Sequence, residues 1–265
     1  MTAPAGPFHR FVALGDSQTE GVGDIPYPDG RERGWADRCA ELLAAAQPGL
    51  LYANLAVRGR RIAEVHDQQL APAVALAPDL VSLIAGVNDI VRPRFDLDAG
   101  LARLDAMHRD LRATGATVMT TTLPDTSAVT PAARLLRSRV AGFNAGLRDI
   151  AARHGSLALD GDAVAGLADP RLWCDDRLHF NPAGHRRLAA AMGGMLGVPA
   201  DGASLADPVS NAAPPGGCRR VVDDVRWAAA YLVPWMGRRL VGRSSGDGRH
   251  AKRPRLAPLG AGAPA

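Results

Sequence analysis

Short β-rich runs alternate with longer Ala, Leu and Arg segments of helical period along most of the chain. The runs predict strands at Arg10–Leu14, Leu50–Leu55, Leu80–Ala85, Thr117–Thr122 and Leu157–Asp160. The segments between them predict helices at Trp35–Ala46, Ile62–Leu76, Leu97–Thr114 and Pro131–His154. A last helix is expected from Asn181 to about Leu196, since asparagine is a good N-cap and Pro182 is tolerated at the first helical position. Strand and helix in alternation imply repeated βαβ units, hence an α/β fold with a parallel sheet covered on both faces.

From Gly197 to Gly217 the chain is rich in Pro, Ala, Gly and Asp, loses periodicity, and reads as a linker. The expected organisation is one domain over residues 1–200, a linker over 201–217 and an extension over 218–265. With 265 residues, 47% hydrophobic and 22% charged, the chain can bury a substantial core, which excludes disorder of the whole. Met1–Pro7 has no apolar core region, and no stretch approaches the roughly 20 apolar residues of a spanning helix. A soluble, cytoplasmic protein is the expectation. Cys39, Cys174 and Cys218 are odd in number and far apart, which fits core or surface thiols better than a zinc site or a disulfide framework.

The net charge of +4 hides an asymmetry. From Cys218 onward ten Arg or Lys stand against three Asp, or +7, leaving 21 basic and 24 acidic residues, or −3, before it. The basic character belongs to the extension. Lys252 is the only lysine.

In an open parallel sheet the reactive crevice lies at the carboxyl ends of the strands. Three predicted exits carry suggestive residues: Gly15-Asp16-Ser17, Ala56-Val57-Arg58-Gly59 and Gly86-Val87-Asn88-Asp89. Ser17 followed at the third position by Glu20 fits a capping box, the preferred reading of the segment taken alone, and a hydroxyl presented there could also act as a nucleophile. The Gly-x-Ser-x-Gly elbow is absent, as are phosphate-cradling glycine patterns.

A serine nucleophile needs a base, and histidine titrates in the useful range. His179 stands out among the seven histidines because Asp176, three residues earlier in the same polar loop, can curl back to its Nδ1 and fix the tautomer. His185 reads as structural or solvated. His9, His66, His108, His154 and His250 have no comparable partner. Donors for a developing oxyanion are offered by the Asn88 side chain, the Gly59 N–H and the N–H of Ser17 itself. Arg31, Arg33, Trp35 and Arg92 could line a mouth for a polar or anionic group, although solvated positions fit them better.

Gly-Asp-Ser-x-Thr near the start, Asn54–Gly59, Gly86-x-Asn88-Asp89 and Asp176-x-x-His179, in that order, resemble the SGNH, or GDSL-type, hydrolase superfamily. The resemblance covers about Phe8 to Leu196. It implies a three-layer α/β/α sandwich with a flavodoxin-like five-stranded parallel sheet. It implies Ser17 as nucleophile, His179 as general base and acid, Asp176 as its orienter, and Ser17, Gly59 and Asn88 as the oxyanion hole. No metal or organic cofactor is implied. One departure is Gln18 where the family's short name carries leucine. The extension is similar to C-terminal tails of actinobacterial members.

The function so implied is hydrolysis of carboxylic esters through an acyl-enzyme. Short acyl or acetyl esters, acetylated carbohydrates and lysophospholipids are the substrate classes considered, and nucleic acid is not an expected partner. The alternative is a non-catalytic binding protein that engages an anionic surface or partner through its basic extension. Within that extension Arg219–Leu240 is amphipathic, with Trp227 and Trp235. Docking on the chain's own domain is the preferred reading, and peripheral contact with an anionic membrane is the other. Arg243–Gly248 and the Pro-containing end are expected to be flexible.

Overall fold

The computed structural model describes residues 7–164, 166–198 and 218–259. Six strands form one sheet: β1 (Arg10–Gly15), β2 (Leu51–Asn54), β3 (Leu80–Ile84), β4 (Thr117–Thr121), β5 (Leu157–Leu159) and β6 (Arg253–Pro258), in the order β5-β4-β3-β1-β2-β6. β1 to β5 are the five predicted strands, and their pairings are all parallel.

The sixth strand corrects the expected count. β6 comes from the end read as flexible and runs antiparallel on β2, pairing Tyr52 with Ala257 and Asn54 with Arg253 around a register irregularity. Pro254 and Pro258 remove ladder donors, which an edge strand tolerates. Residues Arg253–Pro258 of the extension are thus part of the sheet.

The helices that position the site are α1 (Ser17–Glu20), α2 (Trp35–Ala46), α3 (62–75), α4 (Val87–Ile90), α5 (Leu97–Ala113), α6 (Arg137–His154), α7 (Pro182–Met195) and α8 (218–240). α3 contains a widened π turn at His66–Leu70. α8 has another at Ala228–Leu232, just before Pro234, whose missing N–H cannot serve a regular helical ladder. Among the described residues no helix is long and apolar enough to cross a membrane.

β1 shows how the layers arise. Phe11 and Ala13 face one side of the sheet, Val12 and Leu14 the other, and all four are fully buried. The first side packs Trp35 and Leu43 of α2 and Leu188 and Met192 of α7. The second packs Ile62 and Val65 of α3, Leu104 and Met107 of α5, and Phe143 and Leu147 of α6. Burial of each such side chain stabilises the fold by roughly 1.5–3 kcal/mol, and helices on both faces make three layers. Val198 is buried against the first side. The linker read at 201–217 lies outside the described residues.

One face of α8 rests on the domain through Asp224 and Trp227, while Val221, Val225 and Val233 are exposed on it. Strand order reverses beside β1, so the exits of β1, β2 and β3 converge on one crevice.

Candidate active site

The turn after β1 is built around Gly15. At φ +149° any Cβ would lie 2.3 Å from the Ile84 carbonyl oxygen, so the position takes glycine. Its N–H and C=O pair with Oε1 and Nε2 of Gln69, both at 2.9 Å, from the π turn of α3. Asp16 then caps α1, accepting from the Gln18 N–H at 3.2 Å. The cap is therefore Asp16, and the capping box expected between Ser17 and Glu20 is not made. Glu20 instead takes Arg58, with Nη2 to Oε1 at 2.7 Å. Ser17 becomes the first helical residue, where the backbone N–H has no partner within its own helix.

His179 Nε2 lies 2.9 Å from Ser17 Oγ, and His179 Nδ1 lies 2.6 Å from Asp176 Oδ2. The other carboxylate oxygen of Asp176 accepts the N–H groups of Leu178 at 2.9 Å and His179 at 3.0 Å. Burial alone would push the Asp176 carboxyl up. The His179 contact and the two N–H groups outweigh it and hold the carboxyl below its usual range.

Gln18, the departure from the family's leucine, bridges the two halves of this arrangement. Its Nε2 donates to the Leu178 carbonyl at 2.8 Å, and its Oε1 accepts from Phe180 N at 3.5 Å. The amide thus holds the peptides on either side of His179 from the residue next to Ser17. Sequence reading gave Gln18 no role, and its adjacency to the serine was the only signal available.

The loop after β2 is turned by Asn54, whose Oδ1 accepts from Ala56 N at 3.0 Å and whose Nδ2 donates to the Thr19 carbonyl at 2.8 Å. Gly59 follows in the left-handed region at φ +76°, and a Cβ there would lie 2.4 Å from Ser244 Oγ of the extension. Asn88, in α4, points its Nδ2 at Asp16 Oδ2 at 3.2 Å and at the Arg60 carbonyl at 3.1 Å. Both protons of that amide therefore have acceptors. An oxyanion could receive one only by sharing or replacing a partner. Burial pushes the Asp16 carboxyl up to about 6, against the opposing pull of the Gln18 N–H, His179 and Asn88.

Ser17, His179 and Asp176 are thus brought together, with Asn88 joined to them through Asp16. Trp35, considered for a mouth, is instead fully buried, and Arg31 and Arg33 are paired with Asp29 and Glu41. His185 is also buried, which pushes it down to about 4. Its Nδ1 accepts from Trp35 N and its Nε2 donates to the Val22 carbonyl, both at 3.1 Å. Among the described residues no group of three or more His, Cys, Asp or Glu is placed to hold a metal ion.

Residues 13–187 match the GDSL-like Lipase/Acylhydrolase family. The chain belongs to that family. It is a carboxylic-ester hydrolase of the SGNH superfamily, and all four motif blocks described above fall inside the matched span. A comparison with curated protein sequences finds no match.

Solved structures share the fold of this GDSL-like acylhydrolase. A catalytic mutant of Axe2, an acetylxylan esterase from Geobacillus stearothermophilus, is 22% identical with a TM-score of 0.62, over 73% of this chain and 96% of that one. LAE5, an alpha/beta hydrolase enzyme from the metagenome of Lake Arreo, Spain, is 22% identical with a TM-score of 0.60, over 72% and 95%. The psychrotrophic esterase EstA from Pseudoalteromonas sp. is 17% identical with a TM-score of 0.57, over 71% and 97%. The catalytic mutants of Axe2 replace a serine, an aspartate, and a histidine three positions after that aspartate.

Proposed function

We propose that the chain hydrolyses short acyl esters, acetyl esters foremost, by a two-step transfer through Ser17. The observation that carries this reading is the unbroken chain Ser17 Oγ, His179 Nε2, His179 Nδ1, Asp176 Oδ2 at 2.9 and 2.6 Å. Asp176 accepts the Nδ1 proton, which leaves Nε2 as the acceptor facing the hydroxyl. Ser17 Oγ adds to the ester carbonyl carbon while its proton passes to His179. The tetrahedral oxyanion is met by the N–H groups of Ser17 and Gly59 and by Asn88, and the imidazolium is stabilised by the Asp176 carboxylate.

Collapse of the intermediate breaks the bond to the alcohol oxygen, which leaves with the proton from His179. Water then adds to the acyl-serine with His179 again as base, and the acid departs. The similarity to an acetylxylan esterase supports the acetyl preference, as does a nucleophile only 8% exposed.

The test is turnover of p-nitrophenyl acetate and longer homologues by the wild type and by Ser17→Ala. Loss of turnover in a folded variant, with the acetate preferred by the wild type, is expected. Wild-type turnover by Ser17→Ala would sink the mechanism.

A further inference from the structure

Each peptide carbonyl from Asp176 to His179 accepts a hydrogen bond, three of them from outside the loop and that of His179 from within it. Leu178 O accepts from Gln18 Nε2 at 2.8 Å, Arg177 O from Thr130 Oγ1 at 3.3 Å and His179 O from Cys174 N at 2.8 Å. The carbonyl of Asp176 itself accepts from Trp227 Nε1 at 2.8 Å. That indole belongs to α8, in the extension that lies beyond the family's matched span.

A second contact comes from the same helix. Arg177, between the acid and the histidine, sits at φ +56° in the left-handed region, where a residue with a Cβ persists only when its surroundings hold it. Its guanidinium is ion-paired with Asp224 and lies 5.2 Å from the centroid of the Trp227 ring. The extension then passes to the other corner, where Ser244 Oγ lies 3.5 Å from the Gly59 carbonyl. Lys252 secures it further on, with Nζ donating to the Glu20 carbonyl and to Asp37 Oδ2, both at 2.5 Å.

We propose that Trp227, with the Asp224–Arg177 pair beside it, is a positioning group of the ester-hydrolysing site. It fixes the backbone of the Asp176–His179 loop so that His179 meets Ser17 at hydrogen-bonding distance. The proposal rests on the serine mechanism above. It gives the extension a part in the chemistry without contact to the reacting atoms. A change in the loop's position moves the base relative to the hydroxyl, and so acts on the chemical step more than on substrate binding.

The test uses the full chain carrying Trp227→Phe, which keeps an aromatic face for Arg177 and removes the donor, and Asp224→Asn, which removes the charge. Steady-state kinetics on p-nitrophenyl acetate should show kcat lowered roughly tenfold in each, with KM and the thermal midpoint held near the wild-type values. Asp224→Glu should recover most of kcat.

Wild-type kcat in Trp227→Phe would overturn the proposal. So would a rise in KM alone, which would make α8 a substrate wall, or a loss of kcat that tracks a fall in the thermal midpoint. Ser17→Ala assayed alongside separates the two readings. If that variant is inactive and Trp227→Phe is normal, only the role of the extension fails, whereas an active Ser17→Ala removes the serine mechanism itself.

Discussion

The proposed acid–base corner and the proposed oxyanion corner of this site are assembled in opposite ways. Asp176 and His179 share one short loop, and both carboxylate oxygens of Asp176 are used within it, on the ring and on two backbone N–H groups. Ser17, Gly59 and Asn88 come from three separate strand exits, and the Asn88 amide already serves Asp16 and Arg60. The first corner is complete before an ester arrives. In the proposed mechanism the second must share or exchange a hydrogen-bond partner for the oxyanion, so its strength depends on how readily Asn88 turns from Asp16 or Arg60.

Removing the completed corner should cost most. Asp176→Ala leaves His179 without its orienting acceptor, and kcat is expected to fall by roughly 10⁴-fold with little change in KM, measured on p-nitrophenyl acetate. A loss below about a hundredfold would break the contrast, because other groups would then suffice to fix the ring.

Asn88→Ala should cost less, roughly 10²–10³-fold in kcat, or about 2.7–4 kcal/mol of transition-state stabilisation. If the two backbone N–H groups carry the oxyanion unaided, the loss shrinks toward tenfold or less. The oxyanion corner would then need no exchange at Asn88.

The smallest effect is in stability, and there the corners differ in sign. Asp176 is held low, so its contribution is present above the unfolded carboxyl value and is lost as pH falls through the folded one. Asp16 is raised to about 6, so its contribution is present below the unfolded value and is lost as pH rises through the folded one. Asp16→Asn cannot titrate, and should gain on the wild type by on the order of 2–3 kcal/mol between about pH 4 and about pH 7. Denaturant midpoints across that range check it. A gap that stays constant with pH would show that Asp16 does not ionise in the window.

The same contrast explains what could be read from the sequence. The five parallel strands were legible because burial on both faces leaves apolar runs, as in Phe11–Leu14, whose residues pack alternately on the two sides. Asp-x-x-His was legible because its contacts span three residues. β6 was not, because an edge strand with two prolines and two arginines has neither the apolar run nor the propensity of a strand. Gln69 and Trp227 were not legible either. They act on Gly15 and Asp176 from 54 and 51 residues away, and nothing local marks a side chain whose partner is a distant backbone group.

Lys252 sets a timetable for folding. Its ammonium enters a socket formed by the Glu20 and Glu32 carbonyls and the buried Asp37 carboxylate, 215 residues before it in the chain. At a synthesis rate of roughly 5–20 residues per second, Asp37 leaves the ribosome roughly 10–45 s ahead of the cation that neutralises it. Throughout that interval β2 remains an unpaired edge, since β6 follows Lys252 directly. A nascent chain can therefore lay down all five parallel strands and the serine turn while its sheet is still open on one side. The segment that carries Lys252 and β6 closes that edge and supplies the missing charge.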